Sequence, residues 1–238
     1  MVIPMQRRCW KKLIQKMKSE ILILVLIVLP CFATSQNAKK ESFEGVLTYK
    51  SEIVFRNKNS YYQEYFGQKY GDTLKVYYNK KGDILRQFLN SGERGYDFNL
   101  YLQSENNYYA KWKNLDTLYY YNTTENALDK INETRGKSGK IQGKKCKYIS
   151  IEGKDPIGKQ IVKLTYHYSG EPYLDSKLYT GFIDFFTAEI LSEANSPFIK
   201  LEQDMGDYIL TYILVAVERK KIGDFVFQLP DDYPKKKN

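Results

Sequence analysis

Histidine and cysteine are nearly missing from this chain of 238 residues, which holds one histidine, His167, and three cysteines, Cys9, Cys31 and Cys146. Catalytic triads and most zinc centres combine histidine with cysteine, aspartate or a second histidine, so a lone His167 leaves little room for either. It falls on the polar side of its predicted strand and reads as a surface residue. Cys9 and Cys31 lie in a segment expected to be removed, so Cys146 alone remains and no intrachain disulfide can form, even in an oxidising compartment. Cys146 has no base beside it in sequence and reads as a small, partly buried thiol at the start of a strand. Stability must therefore come from an apolar core, which a chain of about 200 residues can bury in one domain.

Long apolar runs are also lacking. The longest, Ile21 to Leu29, extends through Pro30, Cys31 and Phe32 to Ala33, short of the roughly 20 residues that cross a bilayer. Arg7, Arg8, Lys11, Lys12, Lys16 and Lys18 precede it, and Ala33 and Ser35 stand where a signal peptidase reads. That order is a secretory signal peptide over residues 1 to 35, with the cut between Ser35 and Gln36. Translation starts at Met1, Met5 or Met17; from Met17 the leader is compact. Two other readings remain, a retained anchor and a lipid on Cys31. The short core argues against the first, and Leu29-Pro30 in place of small residues against the second. The expectation is an exported protein, periplasmic or outer-membrane-associated, and soluble after cleavage.

A strong charge of one sign is absent from what remains. The leader holds six of the 37 basic side chains and one of the 28 acidic ones, which leaves 31 against 27, a net +4. A mildly basic exported domain with scattered charges carries no nucleic-acid signal. Lys235-Lys236-Lys237 is the exception and reads as a basic disordered tail over 235–238.

Strand signals fill the mature chain. In 43–56, Leu47, Tyr49, Ile53 and Phe55 alternate with polar residues, which predicts a strand with one wet face. Leu74, Val76 and Tyr78 repeat the pattern, and Lys80-Lys81-Gly82-Asp83 turns the chain into Ile84–Leu89 as a hairpin. Further strands fit 107–113, 117–121, 147–152 and 161–168, while 91–106 is ambiguous. Tyr208–Val217 is apolar at both parities, with Ile209, Ile213, Val215 and Val217 on one and Tyr208, Leu210, Tyr212 and Leu214 on the other, which predicts a central strand covered on both faces. Helical spacing appears clearly once, over about 176–194. Tyr179, Phe182, Ile183, Phe186 and Ile190 recur there at three- and four-residue steps, with Asp175 or Ser176 as cap and Pro197 beyond the end. The fold class is mainly β (α+β), a curved antiparallel sheet or incomplete barrel wrapped around one main amphipathic helix. No repeat or linker divides the chain, so 36–234 reads as a single domain.

Chemistry is scarce. Gly136 to Lys145 superficially resembles a phosphate loop, but only three residues separate Gly139 from Gly143 and Lys145 follows Lys144 where Ser or Thr is needed, so it reads as a mobile basic turn. Glu202, Asp204 and Asp207 match no hard-cation spacing and read as a polar turn. No cofactor is implied. Tyrosine stands out, with 22 in the chain and clusters at Tyr61-Tyr62-Tyr65, Tyr108-Tyr109 and Tyr119-Tyr120-Tyr121. Strand propensity explains much of this, and an aromatic-lined surface for sugar, lipid or peptide is the sharper reading.

Four segments carry a resemblance. Phe43-Glu44-Gly45-Val46-Leu47-Thr48-Tyr49, Ile141-Gln142-Gly143-Lys144-Lys145-Cys146, Tyr166-His167-Tyr168-Ser169 and Phe225-Val226-Phe227-Gln228-Leu229-Pro230 with Tyr233 resemble exported domain-of-unknown-function families of Gram-negative bacteria, in the LolA-like superfamily. The resemblance implies an incomplete barrel around helical segments, with an apolar concave surface for acyl chains or the lipid of a lipoprotein. The tyrosine-rich stretches 57–73 and 91–109 have no counterpart in a lipid carrier. The expected function is a non-enzymatic envelope protein that shelters a hydrophobic ligand, with Phe182, Phe185 and Phe186 as lining residues, unless these simply fill the core. Two alternatives stand beside it. One is a structural or interaction protein without a ligand cavity, contacting an envelope partner through its tyrosine-rich loops. The other is a hydrolase whose carboxylates gather from different strands.

Overall fold

The computed structural model describes residues 40 to 56 and 58 to 237. The leader, Cys31 and the cut between Ser35 and Gln36 lie outside the described residues.

Alternating apolar residues produce the first six strands, β1 (Gly45–Phe55), β2 (Thr73–Tyr78), β3 (Ile84–Leu89), β4 (Tyr96–Leu102), β5 (Asn107–Trp112) and β6 (Leu118–Asn122). A second run gives β7 (Asp129–Ile141), β8 (Lys144–Lys154), β9 (Ile161–Tyr168), β10 (Lys200–Asp204) and β11 (Tyr208–Arg219), and β12 (Lys235–Lys237) follows. Two short α-helices, α1 (Ser60–Lys69) and α2 (Thr187–Ala194), interrupt them. All the strands join in one open, curved sheet in the order β12-β6-β5-β4-β3-β2-β1-β11-β10-β9-β8-β7, antiparallel except where β12 runs parallel to β6. The order is two meanders, β1 to β6 and β7 to β11, stitched together by the pairing of β1 with β11.

Because side chains alternate across a strand, each meander sends one set of residues inward. Leu74, Val76 and Tyr78 of β2 and Val162, Leu164, Tyr166 and Tyr168 of β9 belong to one large buried cluster, as the alternation predicts. A smaller cluster, with Val46, Leu100, Tyr109 and Leu118, is covered by Ile222 and Phe227 from the C-terminal segment. That segment ends in β12, so Lys235, Lys236 and Lys237 form an edge strand with exposed side chains instead of a disordered tail. The Pro234 carbonyl accepts from the Leu118 N–H at 2.9 Å, and the three residues then pair with Leu118 to Tyr120.

The expected helix over 176–194 is broken. Ser176–Tyr179 is a 3-10 turn capped by the Asp175 carboxylate, Asp184–Phe186 is a second, and only Thr187–Ala194 is α-helical. The reason is tertiary. The Thr123 carbonyl takes the Ile183 and Asp184 N–H groups at 2.8 and 3.1 Å, and the Asn126 side chain takes that of Phe185 at 3.1 Å. Phe185 and Phe186 are left in the left-handed region, with φ of 50° and 57°, a conformation costing a bulky residue about 1–3 kcal/mol. Tyr179, Phe182, Phe186 and Ile190 are nonetheless buried, as their spacing predicts, but Ile183 of the same stripe is 40% exposed because the chain breaks there.

Three further differences have local causes. Helix α1, which sequence reading missed, begins at Asn59, whose side chain accepts the Tyr61 N–H, and Phe66 packs its ring 4.7 Å from that of Tyr208. Residues 136 to 145 are strand ends rather than a mobile turn: β7 and β8 meet at Gln142-Gly143, both with positive φ as a type I′ hairpin requires. Strand β11 is central in pairing but covered on one face. A bulge opposite Thr48 and Tyr49 skips Val215, which interrupts the alternation. Tyr208, Leu210, Tyr212 and Leu214 are buried, while Val215 and Val217 are 55% and 42% exposed.

Truncating one face should therefore cost far more than truncating the other. Leu210→Ala, at a site with no exposed surface, should lower unfolding free energy by about 2–5 kcal/mol. Val54→Ala, 61% exposed on the neighbouring strand, should change it by less than about 0.5 kcal/mol. Urea unfolding of both variants measures this, and equal losses would contradict a one-sided core.

Candidate functional site

The concave face does not fill completely. A cavity of about 560 Å³ lies between the sheet and the 182–191 segment, lined by both meanders: Leu74, Ile84, Phe88 and Ala110 from one, Leu164, Tyr166, Leu201 and Tyr212 from the other. Phe182, Phe185, Ile190 and Leu191 close it. Eight of the 22 tyrosines line the cavity. The clusters split by strand parity, so that Tyr108, Tyr119 and Tyr121 face the cavity while Tyr109 and Tyr120 belong to the opposite cluster. Tyr96, Phe88 and Trp112 form a ring stack with centroids 5.2 and 4.8 Å apart. Trp112 and Tyr119 also line an adjoining pocket of about 310 Å³.

Three polar side chains other than phenols stand out in this aromatic wall. Arg86 occupies the inward position of β3 between Ile84 and Phe88, directly across from Val76 of β2 and Asn99 of β4. Its Nη1 donates to the Tyr108 hydroxyl at 3.4 Å, and its guanidinium carbon lies 5.9 Å from that ring's centroid. Burial works against its charge, but a guanidinium keeps its proton throughout the accessible pH range, so the group stays ionised. Asn99 is 7% exposed, and its Oδ1 has no hydrogen-bond partner. Asp184, 2% exposed, accepts the Ala127 N–H at 3.2 Å. Burial raises its pKa, against the lowering pull of the Ala127 and Phe185 N–H groups and the Tyr121 hydroxyl. It is the one carboxylate among the described residues lining the cavity.

The phenols respond to the same burial. Tyr78 is pushed up to about 12, with Arg86 pulling the other way, and Tyr101 to about 12 by burial and the Asp83 charge. Tyr121 and Tyr212 rise further, burial again leading.

Of the three phenylalanines expected to line a ligand site, Phe182 and Phe185 lie on the cavity wall. Phe182 stacks on Tyr101 with centroids 4.3 Å apart. Phe186 points elsewhere and fills the core against Leu128 and Gly153, where an added Cβ would meet its ring at 3.0 Å. Arg86, Asn99 and Asp184 were not anticipated. Arg86 left a readable signal, a charge at the inward parity between two apolar residues of a predicted strand. Asp184 left none.

On the opposite face, His167 is more covered than expected, its side chain 13% exposed. Its Nδ1 lies 2.7 Å from Ser138 Oγ and its Nε2 3.2 Å from Glu202 Oε2. Glu202 also binds Lys200 at 3.0 Å; despite burial, its carboxyl is held below the ordinary range by Lys200 and His167. Glu202 and Asp204 sit on β10 rather than in a turn, and Arg56 grips both Asp204 oxygens at 2.7 Å. Cys146 is fully buried, its Sγ 3.4 Å from the Lys144 carbonyl. No group of three metal-ligating side chains converges among the described residues.

No protein-family model matches the chain, and no curated protein matches it in sequence.

The buried phenols set a pH dependence. An unfolded chain releases phenolic protons from about pH 10, whereas Tyr78 and Tyr101 hold theirs to about 12. Between those values the folded state binds more protons, so stability is full below pH 10 and falls as pH rises through 12. Absorbance titration should show one class of tyrosines ionising freely and a second ionising together with loss of near-ultraviolet circular dichroism. A single free transition with the fold intact would count against sealed phenols.

Proposed function

We propose that this protein shelters a hydrophobic ligand, a lipid or acyl chain, in the cavity between its sheet and the 182–191 segment, and does so in the cell envelope after export. The observation that carries the reading is the cavity itself. Its volume of about 560 Å³ falls in the range of sites that enclose small molecules, and its wall has their make-up, mainly aromatic and aliphatic with few polar groups. A wall of this kind loses contacts when empty and regains them around an apolar guest.

The resemblance of four segments to LolA-like families supports the same reading, because it implies an incomplete barrel with an acyl-binding concave face. Here the helical plug is α2 with the two 3-10 turns rather than one long helix. Export rests on the leader pattern over residues 1 to 35. No helix among the described residues is long and apolar enough to cross a membrane. The cavity weighs against a solid-cored interaction protein. A paired-carboxylate hydrolase needs a second acid beside Asp184, which the described lining lacks.

An uncharged probe such as N-phenylnaphthylamine tests the apolar site by itself. The purified protein should bind it with enhanced fluorescence, and Ala110→Trp, which places an indole in the cavity, should weaken binding at least about tenfold while the melting temperature stays near that of the parent. A parent protein that binds no probe and yields no extractable lipid would end the proposal. So would an Ala110→Trp variant that binds like the parent.

A further inference from the structure

Arg86 poses a problem that the apolar reading leaves unsolved. A guanidinium has five N–H donors, and one drawn partly out of bulk water, as the half-buried Arg86 is, loses hydration unless these are matched by an anion or a full set of acceptors. Among the described residues Arg86 has one hydrogen bond, the long one to the Tyr108 hydroxyl, and no carboxylate within 4.0 Å. Asp184 shares the lining but is occupied elsewhere, by the Ala127 N–H. The phenols cannot supply the missing charge, since burial keeps Tyr78 and Tyr212 protonated well beyond neutral pH. Directly across the strand, Asn99 Oδ1, an acceptor, also has no partner. An incompletely paired cation and an orphan acceptor thus lie on neighbouring strands in the wall of a largely aromatic hollow.

We infer that the cavity selects a long-chain carboxylate, a free fatty acid, whose head group pairs with Arg86 while its chain lies among the aromatic walls. The inference rests on the cavity being a lipid site and adds which head group is held there and what charge it bears. A carboxylate fits the guanidinium fork with two parallel hydrogen bonds. The charge count also points to a monoanion. Arg86 is the only cation among the described lining residues, so a phosphate monoester with nearly two charges would exceed what it can match.

Three sixteen-carbon amphiphiles separate the outcomes: palmitate, hexadecanol and hexadecyl phosphate, each competed against N-phenylnaphthylamine on the purified protein at neutral pH. Palmitate should bind at least about tenfold more tightly than hexadecanol. Arg86→Met should remove that preference, weakening palmitate while leaving hexadecanol unchanged or tighter, and Arg86→Lys should restore part of it. Equal binding of palmitate and hexadecanol by the parent would overturn the carboxylate anchor and leave the lipid site standing. Tighter binding of hexadecyl phosphate than of palmitate would overturn the choice of carboxylate. If no amphiphile displaces the probe, the lipid site itself falls. Should Arg86→Met fail to fold, the three affinities of the parent protein still decide.

Discussion

The pairing of β1 with β11 holds the two halves of this molecule together. It joins residues from Gly45↔Arg219 to Phe55↔Tyr208, a contact between chain segments more than 150 positions apart. Such pairing forms only after the entropy of a long loop closure has been met, so it depends on the burial it brings. Tyr49 shows how that burial arises. It lies on β1 with no exposed surface, its ring 4.3 Å from Phe198, and its hydroxyl donates to the Phe198 carbonyl at 3.2 Å. One side chain thereby ties the first strand to the segment that crosses the concave face. Without this seam there would be two meanders, each with an apolar face in water, and no cavity between them.

Tyrosine suits this architecture because its ring and hydroxyl have different needs. The ring packs on a pleated face as well as phenylalanine does, while the hydroxyl must find a partner or a polar space. In this protein some hydroxyls find carbonyls, as Tyr166 does with Ser196 at 2.8 Å, and others find each other, as Tyr70 and Tyr208 do at 3.2 Å. Eight tyrosines, Tyr70 and Tyr166 among them, line the hollow and give its wall a scatter of hydroxyls. Placing Arg86 in that wall makes sense of the phenols around it: their hydroxyl dipoles soften the cost of a half-buried cation without neutralising it.

The opposite face follows a different logic. Lys163 with Glu152 and His167 with Glu202 pair across neighbouring strands, and Arg56 at the end of β1 reaches past β11 to Asp204 on β10. Such partly exposed pairs contribute little stability each. Their value lies in register, since a one-residue slip would bring these charges inward. The same sheet therefore holds its strands in place from outside with charge while its inner face remains free to enclose something.

Much of this was legible in residue order. The alternation in β1, β2 and β9 marked strands and their inward faces, and of the stripe Tyr179, Phe182, Ile183, Phe186 and Ile190 all but Ile183 are buried, because burial follows local periodicity until the backbone breaks. Periodicity failed where distant groups took over the backbone. Thr123 and Asn126 claim the N–H groups that a helix over 176–194 needs, and Val215 drops out of the β11 ladder, both through contacts that no local pattern encodes. The sequence by itself determined a β-rich, tyrosine-laden chain whose alternating strands mark an apolar face. Only the tertiary structure decided that this face encloses a hollow, and that Arg86, Asn99 and Asp184, from three separate segments, lie on its wall. Spacing along a chain reports which side a residue faces; what it meets there depends on how the two meanders close.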